Sequence, residues 1–349
     1  MSTREPRLLV QTSPFLREGV TTPGLMVDVL VAVLPVFAVS LWVFGLSSLL
    51  VVATATAGAI GTEWLFTRPS RPGGRRGESL WNGSALLTGV LLGLTLPPTF
   101  PLWMAFVGGV VGMALGKLIW GGLGNNLFNP ALVGRAFLQA AFPIAITTWA
   151  PPAGLLTVRA SNLALPFMHP AADAVTTATP LNLMKFEHQT TGLVQLFGGH
   201  IAGSLGETSA AAILLGLAWL IARRACDWRI PVSILGTVAV FTSVLWAISP
   251  ERFPTPFFML MSGGLLFGAT YMATDPVTSP LAPRGAWIFG AGIGVLVVLI
   301  RTWGGLPEGV MYAILLMNAT TPLIERATQP RAFGHGRPAR SPAKAGGKG

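Results

Sequence analysis

Apolar stretches long enough to cross a lipid bilayer recur along nearly the whole chain, and no other feature constrains its fold as strongly. The hydrocarbon core of a bilayer takes about 20 helical residues to cross. Apolar runs broken by charges and by Pro/Gly clusters place ten candidate spans at 25–45, 47–67, 80–96, 101–119, 129–148, 207–222, 230–248, 257–274, 285–302 and 308–325. Charged residues are only 10% of the chain and apolar residues 52%, whereas a soluble domain carries about 25% charged residues. Too few charges remain to build a water-facing shell. The expected fold class is therefore an all-α polytopic membrane protein with about ten transmembrane helices. Several spans are short or interrupted by Gly and Pro, so one or two are expected to be broken or re-entrant. The first run follows a polar, basic arm at 1–24 and is read as a retained span, not a cleaved signal peptide.

Basic residues orient the bundle, because Lys and Arg collect in cytoplasmic loops. With the N-terminus inside and the spans alternating, 18 of the 23 basic residues fall on the cytoplasmic side. They lie in the arm, the Arg68–Arg76 loop, Lys117, the Arg223–Arg229 loop, Arg284, Arg326 and the tail. Arg159, Lys185, Arg252 and Arg301 fall outside, and Arg135 lies within a span. Both termini are thus expected in the cytoplasm. The domain organisation that follows is an arm (1–24), a first transmembrane half (25–148), an external loop (149–206), a second transmembrane half (207–328) and a basic tail (329–349). The tail has no apolar pattern and reads as disordered, with anionic lipid as its expected contact. The net charge of +10 is assigned to this asymmetry, and no nucleic-acid partner is expected.

The two halves share text. Trp120-Gly121-Gly122-Leu123 recurs as Trp303-Gly304-Gly305-Leu306, and the same offset of 183 aligns Thr95 with Thr278, Pro97 with Pro280 and Gly109 with Gly292. Self-similarity of this kind is a fold signal. Copies five spans apart enter the membrane from opposite sides, which implies an inverted 5+5 repeat of the kind that places functional groups near interrupted helices. The breaks at Gly121–Pro130 and Asp275–Pro283 are the expected interruptions.

Some chemistries drop out at once. Cys226 is the single cysteine, so the chain holds no internal disulfide and no Cys-ligated iron–sulfur cluster. His169, His188, His200 and His335 are scattered without metal-ligand spacing, and no metal is expected. Asp28, Glu63, Glu207 and Asp275 lie in or near spans, where an acid is a functional candidate by default. Asp275 is carried as a candidate ion-pathway carboxylate, beside the plainer reading that Asp275-Pro276 starts a turn. Glu207 reads equally as a first-turn carboxylate favoured by a helix dipole.

The 149–206 segment is the one long polar connection, and long loops of this kind tend to be functional. It contains Thr176-Thr177-Ala178-Thr179-Pro180-Leu181-Asn182. On composition alone this is an ordinary Thr-rich turn leading into a Pro-initiated element.

Five motifs taken in order carry a family resemblance. They are Asn82-Gly83-Ser84-Ala85-Leu86-Leu87-Thr88-Gly89, Gly121-Gly122-Leu123-Gly124-Asn125-Asn126, Phe128-Asn129-Pro130-Ala131-Leu132, Ala178-Thr179-Pro180-Leu181 and Thr274-Asp275-Pro276-Val277-Thr278. Together they resemble the D subunits of Rnf ion-translocating electron-transport complexes, relatives of the B subunits of sodium-translocating NADH:quinone reductases. The resemblance runs from about Leu25 to about Pro330. It implies FMN held covalently through a phosphoester on an external threonine, here Thr179, within a Ser/Thr-x-Ala-Thr motif that has Thr177 where Gly is commonest. It also implies a flavin environment drawn from Thr177, Pro180, Asn129, Arg135 and Glu207, with a second, non-covalent flavin (riboflavin) conceivable around Asn129 and Arg135. The implied role is an electron relay, not catalytic alone, in a bacterial inner-membrane complex that couples ferredoxin and NAD redox chemistry to ion movement. Its implied partners are a second flavin-bearing subunit, iron–sulfur subunits and a flavin transferase. Phe267-Gly268-Ala269-Thr270 is a competing match, but it lies in an apolar span, where a phosphoester would be an unpaired buried charge. Two other readings stand beside the relay: a channel or transporter for a small polar solute such as urea or ammonium, and a scaffold without flavin.

Overall fold

The structure, a computed structural model, describes residues 21–67, 77–166, 168, 177–187, 189, 191–199 and 201–329. The first 20 residues of the arm, residues 68–76, Thr176, the four histidines and the tail from 330 lie outside the described residues. All regular structure among the described residues is helical.

The chain enters α1 (Thr22–Phe44) where the Thr21 hydroxyl accepts the Gly24 amide and Pro23 sits in the first turn, a pairing suited to a helix start. Gly45 alone separates α1 from α2 (Leu46–Phe66). Its φ of +74° suits glycine, and a Cβ there would also meet the backbone of Gly154 and Thr157. The long loop is anchored at this turn, since Ala153 N donates to Val43 O at 2.7 Å and Arg159 N to Ser47 Oγ at 3.0 Å.

The remaining helices follow in order: α3 (Ser84–Leu94), α4 (Leu102–Gly116), α5 (Pro130–Ala141), α6 (Pro143–Ile146), α7 (Pro180–Glu187), α8 (Leu193–Gly198), α9 (Ala210–Ala222), α10 (Arg229–Ile248), α11 (Pro256–Met261), α12 (Leu265–Phe267), α13 (Pro283–Trp303) and α14 (Val310–Thr328). Five helices are long and apolar enough to cross a membrane: α1, α2, α4 with its 3-10 extension to Trp120, α10 and α13. The other expected spans are shorter or broken. The 129–148 span is α5 followed, after Phe142, by the four residues of α6, because Pro143 cannot donate to the preceding turn. The 257–274 span is α11, a break at Ser262–Gly264, then α12 running into a π-helical turn at Gly268–Met272. Gly263 has a φ of +64°, which no α-helix accommodates. This break lies inside an apolar run, away from the two interruptions expected from sequence, which are connections between helices.

Packing is close where small residues meet. Cβ atoms at Gly58, Gly89 and Gly109 would collide with Phe106, Thr56 and Ala55, so α3 and α4 lie backbone to backbone on α2. Glycine at such seams lets helices approach without side chains between them. Likewise Gly290 and Gly294 of α13 sit on Ser233 and Thr237 of α10. Across the middle, Tyr271 of the π turn donates its hydroxyl to Ala32 O of α1 at 2.9 Å. The α3 helix runs from Ser84, beside the end of α4, to Thr95, and these two ends define the polar sites described next.

Candidate functional site

At the Ser84 end, Lys117 terminates α4. Its Nζ donates to Glu63 Oε1 at 2.7 Å and to Ser84 Oγ at 2.5 Å, and all three side chains are buried. Glu63 Oε2 has no hydrogen-bond partner among the described residues. Lys117 is therefore not the loop charge that counting basic residues makes it. A small cavity of about 50 Å³ adjoins this pair and is lined by Ser84, Lys117, Asn126, Asn129 and Asp275 among others. Asn129 caps α5 by accepting from Ala131 N at 3.0 Å and donates to Met272 O at 3.2 Å. Asp275 closes its own turn on Val277 N and Thr278 Oγ1 at 3.4 and 3.1 Å, which is the turn-start reading. Asp28 pairs with Arg223 at 3.0 Å near the surface.

At the Thr95 end, four charges converge around the Gly263-Gly264 break. Arg135 of α5 reaches Glu207 at 3.5 Å and Glu308 at 3.0 Å. Arg301 of α13, 1% exposed, donates to Met259 O at 2.7 Å and Ser262 O at 2.9 Å. The backbone of the break sits among these groups: a Cβ at Gly263 would lie 3.1 Å from Arg301 Nη2 and 3.2 Å from Glu308 Oε1, and one at Gly264 would lie 2.6 Å from Glu207 Oε1. Two arginines face two glutamates, so the cluster is formally neutral, as buried ions must be. Arg301, counted from sequence among the external loop charges, is a buried structural cation. Beside the cluster is a cavity of about 170 Å³, lined by Arg135, Trp149, Asn182, Glu207, Phe267 and Glu308 among others.

Asn182, which lines this cavity, is bonded through its amide to Thr179. Thr177 N donates to Trp149 O at 3.1 Å, which ties the loop to the chain leaving α6. The Thr179 carbonyl accepts from Leu183 N at 3.0 Å and its Oγ1 from Asn182 N at 3.3 Å. Thr179 is thus the N-cap of α7, with Pro180 at the first helical position. It is only 6% exposed. Leu181 packs against Gly263. At the other end of α7, Lys185 Nζ donates to the carbonyls of Gly304, Leu306 and Ile300 at 2.5, 2.9 and 3.4 Å, capping the end of α13.

The structure therefore brings Thr177, Thr179, Pro180, Arg135 and Glu207 to one end of the bundle and puts Asn129 and Asp275 at the other. Asn129 and Arg135 cap and occupy the same helix, six residues apart, yet they line different cavities, so one flavin between them is not what the geometry offers. Sequence reasoning missed Glu308, Arg301 and Lys185 as members of this site. For Arg301 and Glu308 the available signal was their place on either side of the second Trp-Gly-Gly-Leu block, whereas Lys185 joins it only through folding.

The donor set at Thr179 suits a tethered phosphate. The hydroxyl begins a helix, a place that favours an anion, the Asn182 amide already reaches its Oγ1, and Arg135 lines the cavity that Asn182 also lines, whose walls include Trp149, Phe267 and Tyr312.

Comparison with known proteins gives the family. Residues 9–334 match the family described as NQR2, RnfD, RnfE. The chain is 42% identical over 330 residues to the D subunit of the ion-translocating oxidoreductase complex of Stutzerimonas stutzeri, covering 89% of this chain and 91% of that one. It is 39% identical over 336 residues to the D subunit of the proton-translocating ferredoxin:NAD(+) oxidoreductase complex of Clostridium ljungdahlii, covering 93% and 96%. Against the corresponding ion-translocating oxidoreductase subunit of Cronobacter sakazakii it is 37% identical over 347 residues, covering 93% and 99%.

Proposed function

The chain belongs to the NQR2, RnfD, RnfE family, and we propose that it is the membrane-embedded D subunit of an ion-translocating oxidoreductase complex, relaying electrons through FMN tethered to Thr179. The observation that carries the site is the placement of Thr179 as the cap of α7 beside a cavity holding Arg135, Glu207 and Glu308. When bound, a flavin supplies one- and two-electron chemistry and so bridges carriers of either kind. The chain's own residues do the rest. The Asn182 amide at the start of α7 would meet the phosphate charge, and Arg135, held between two carboxylates, would supply positive charge in the adjoining cavity. Trp149 and Phe267 keep the cavity wall apolar.

Thr179 then faces the external side and the termini the cytoplasm of a bacterial inner membrane, with iron–sulfur and second flavin-bearing subunits as partners. An inverted 5+5 arrangement is supported by the pairing of α2 with α4 and of α10 with α13. It is also supported by a buried cation, Lys117 or Arg301, just before each Trp-Gly-Gly-Leu block. Names of the relatives favour ion-coupled redox work over solute transport.

Coexpression with a flavin transferase should give a band that fluoresces in a denaturing gel. Thr179→Ser should keep that fluorescence and Thr179→Ala should lose it. Undiminished fluorescence in Thr179→Ala would remove the site assignment, and a dark wild type would remove the covalent flavin.

A further inference from the structure

The hydroxyl that is to be modified is shut away. Thr179 is 6% exposed, its Oγ1 is engaged by the Asn182 amide, and the two residues after it, Pro180 and Leu181, are buried. No second protein can bring a reactive phosphoryl group to that oxygen while α7 stays docked. Yet α7 has only eight residues, and an isolated helix of fewer than about 12 is marginal in water. It is held to the bundle by apolar contact, Leu181 against Gly263 with Met184 packed on the core, and by Lys185 on the carbonyls closing α13. Leu181 supplies apolar contact. Lys185 supplies the charged one: an ammonium with three carbonyl acceptors at the negative end of a 21-residue helix.

We propose that Lys185 is a latch that positions Thr179, and that flavin attachment takes place on the released form of α7, before the latch closes. This rests on the reading of Thr179 as the attachment site. In the transfer, Thr179 Oγ forms a bond to the flavin-side phosphorus of a flavin adenine dinucleotide. The bond joining that phosphorus to the bridging oxygen of the diphosphate breaks, and AMP leaves with that oxygen. The hydroxyl proton passes to a base of the transferase. Nothing is oxidised or reduced. Closure of the latch afterwards brings the tethered group to the cavity lined by Arg135 and Trp149.

The test uses the full-length protein in membranes with the transferase and flavin adenine dinucleotide, following in-gel fluorescence over time and hydrogen exchange of 177–187. Loss of a charge-assisted hydrogen bond is expected to raise the released population about tenfold. Lys185→Ala should therefore be modified about tenfold faster and exchange faster over α7, with protection of α13 retained. Lys185→Arg, which can still donate to the same carbonyls, should return both rates toward wild type. Unchanged exchange in Lys185→Ala would overturn the latch. Faster exchange with unchanged or slower modification would overturn the claim that release admits the transferase. A wild type and Lys185→Ala that both stay dark would overturn the Thr179 reading and the transfer step, while the exchange data still decide the latch on their own.

Discussion

Lys117 Nζ lies 2.7 Å from Glu63 Oε1, and neither side chain reaches solvent by more than 3% of its surface. Removing one member of a buried pair strands the other, which costs about 3–5 kcal/mol, whereas removing both is far milder. Lys117→Met should lower the unfolding midpoint in detergent sharply, and the pair Lys117→Met with Glu63→Gln should recover most of the loss. A double variant no better than the single one would mean that the pair is not what stabilises this end.

Gly263 holds the break between α11 and α12 at a φ of +64°, and a Cβ there would run into Leu181 and lie 3.1 Å from Arg301 Nη2. Gly263→Ala should cost about 1–3 kcal/mol through overpacking and loosen the contact with α7. Trypsin cleavage after Lys185 should then speed up. Cleavage at the wild-type rate would show that Leu181 does not depend on this contact.

Asn129 performs two tasks, accepting from Ala131 N and donating to Met272 O. Asn129→Ala loses both and should cost about 1 kcal/mol for the cap alone, with more for the unpaired carbonyl. Asn129→Ser keeps a capping hydroxyl and loses the donor to Met272 O, so its stability should fall between wild type and Asn129→Ala. Equal loss in the two variants would argue against the capping role.

Cys226 lies in the loop between α9 and α10. Burial, with the Asp227 charge adding to it, pushes the thiol up to about 11. Only the thiolate reacts with alkylating reagents. Labelling should thus be slow at pH 7 and rise about tenfold per pH unit until the pH approaches that value. A rate that levels off near pH 8.5, the usual thiol value, would show that the loop does not shield it.

Much of this was legible in the sequence, and the reason is particular. Apolar runs report length against a bilayer, so α1, α2, α4, α10 and α13 follow directly. The Asn129-Pro130 start of α5 and the Thr179-Pro180 start of α7 are local signals that the structure realises as caps. The four-charge cluster was not legible, because Arg135, Glu207, Arg301 and Glu308 come from four separate segments and meet only through folding. Counting basic residues by loop misassigned Lys117 and Arg301 for the same reason: the count sees sequence neighbours and not the partners that bury them. The π turn at Gly268–Met272 was equally hidden, since its apolar text is indistinguishable from that of a regular helix.

The shortness of α3 has an electrical consequence. Eleven residues span about 16 Å, against about 30 Å for the hydrocarbon core. Its first residue faces one cavity and the threonine after its last faces another. Where water fills both recesses, the transmembrane voltage drops over roughly half the usual distance, and the local field is about doubled. A charge moving along α3 would then meet most of the membrane's 2.3 kcal/mol per 100 mV within three turns of helix.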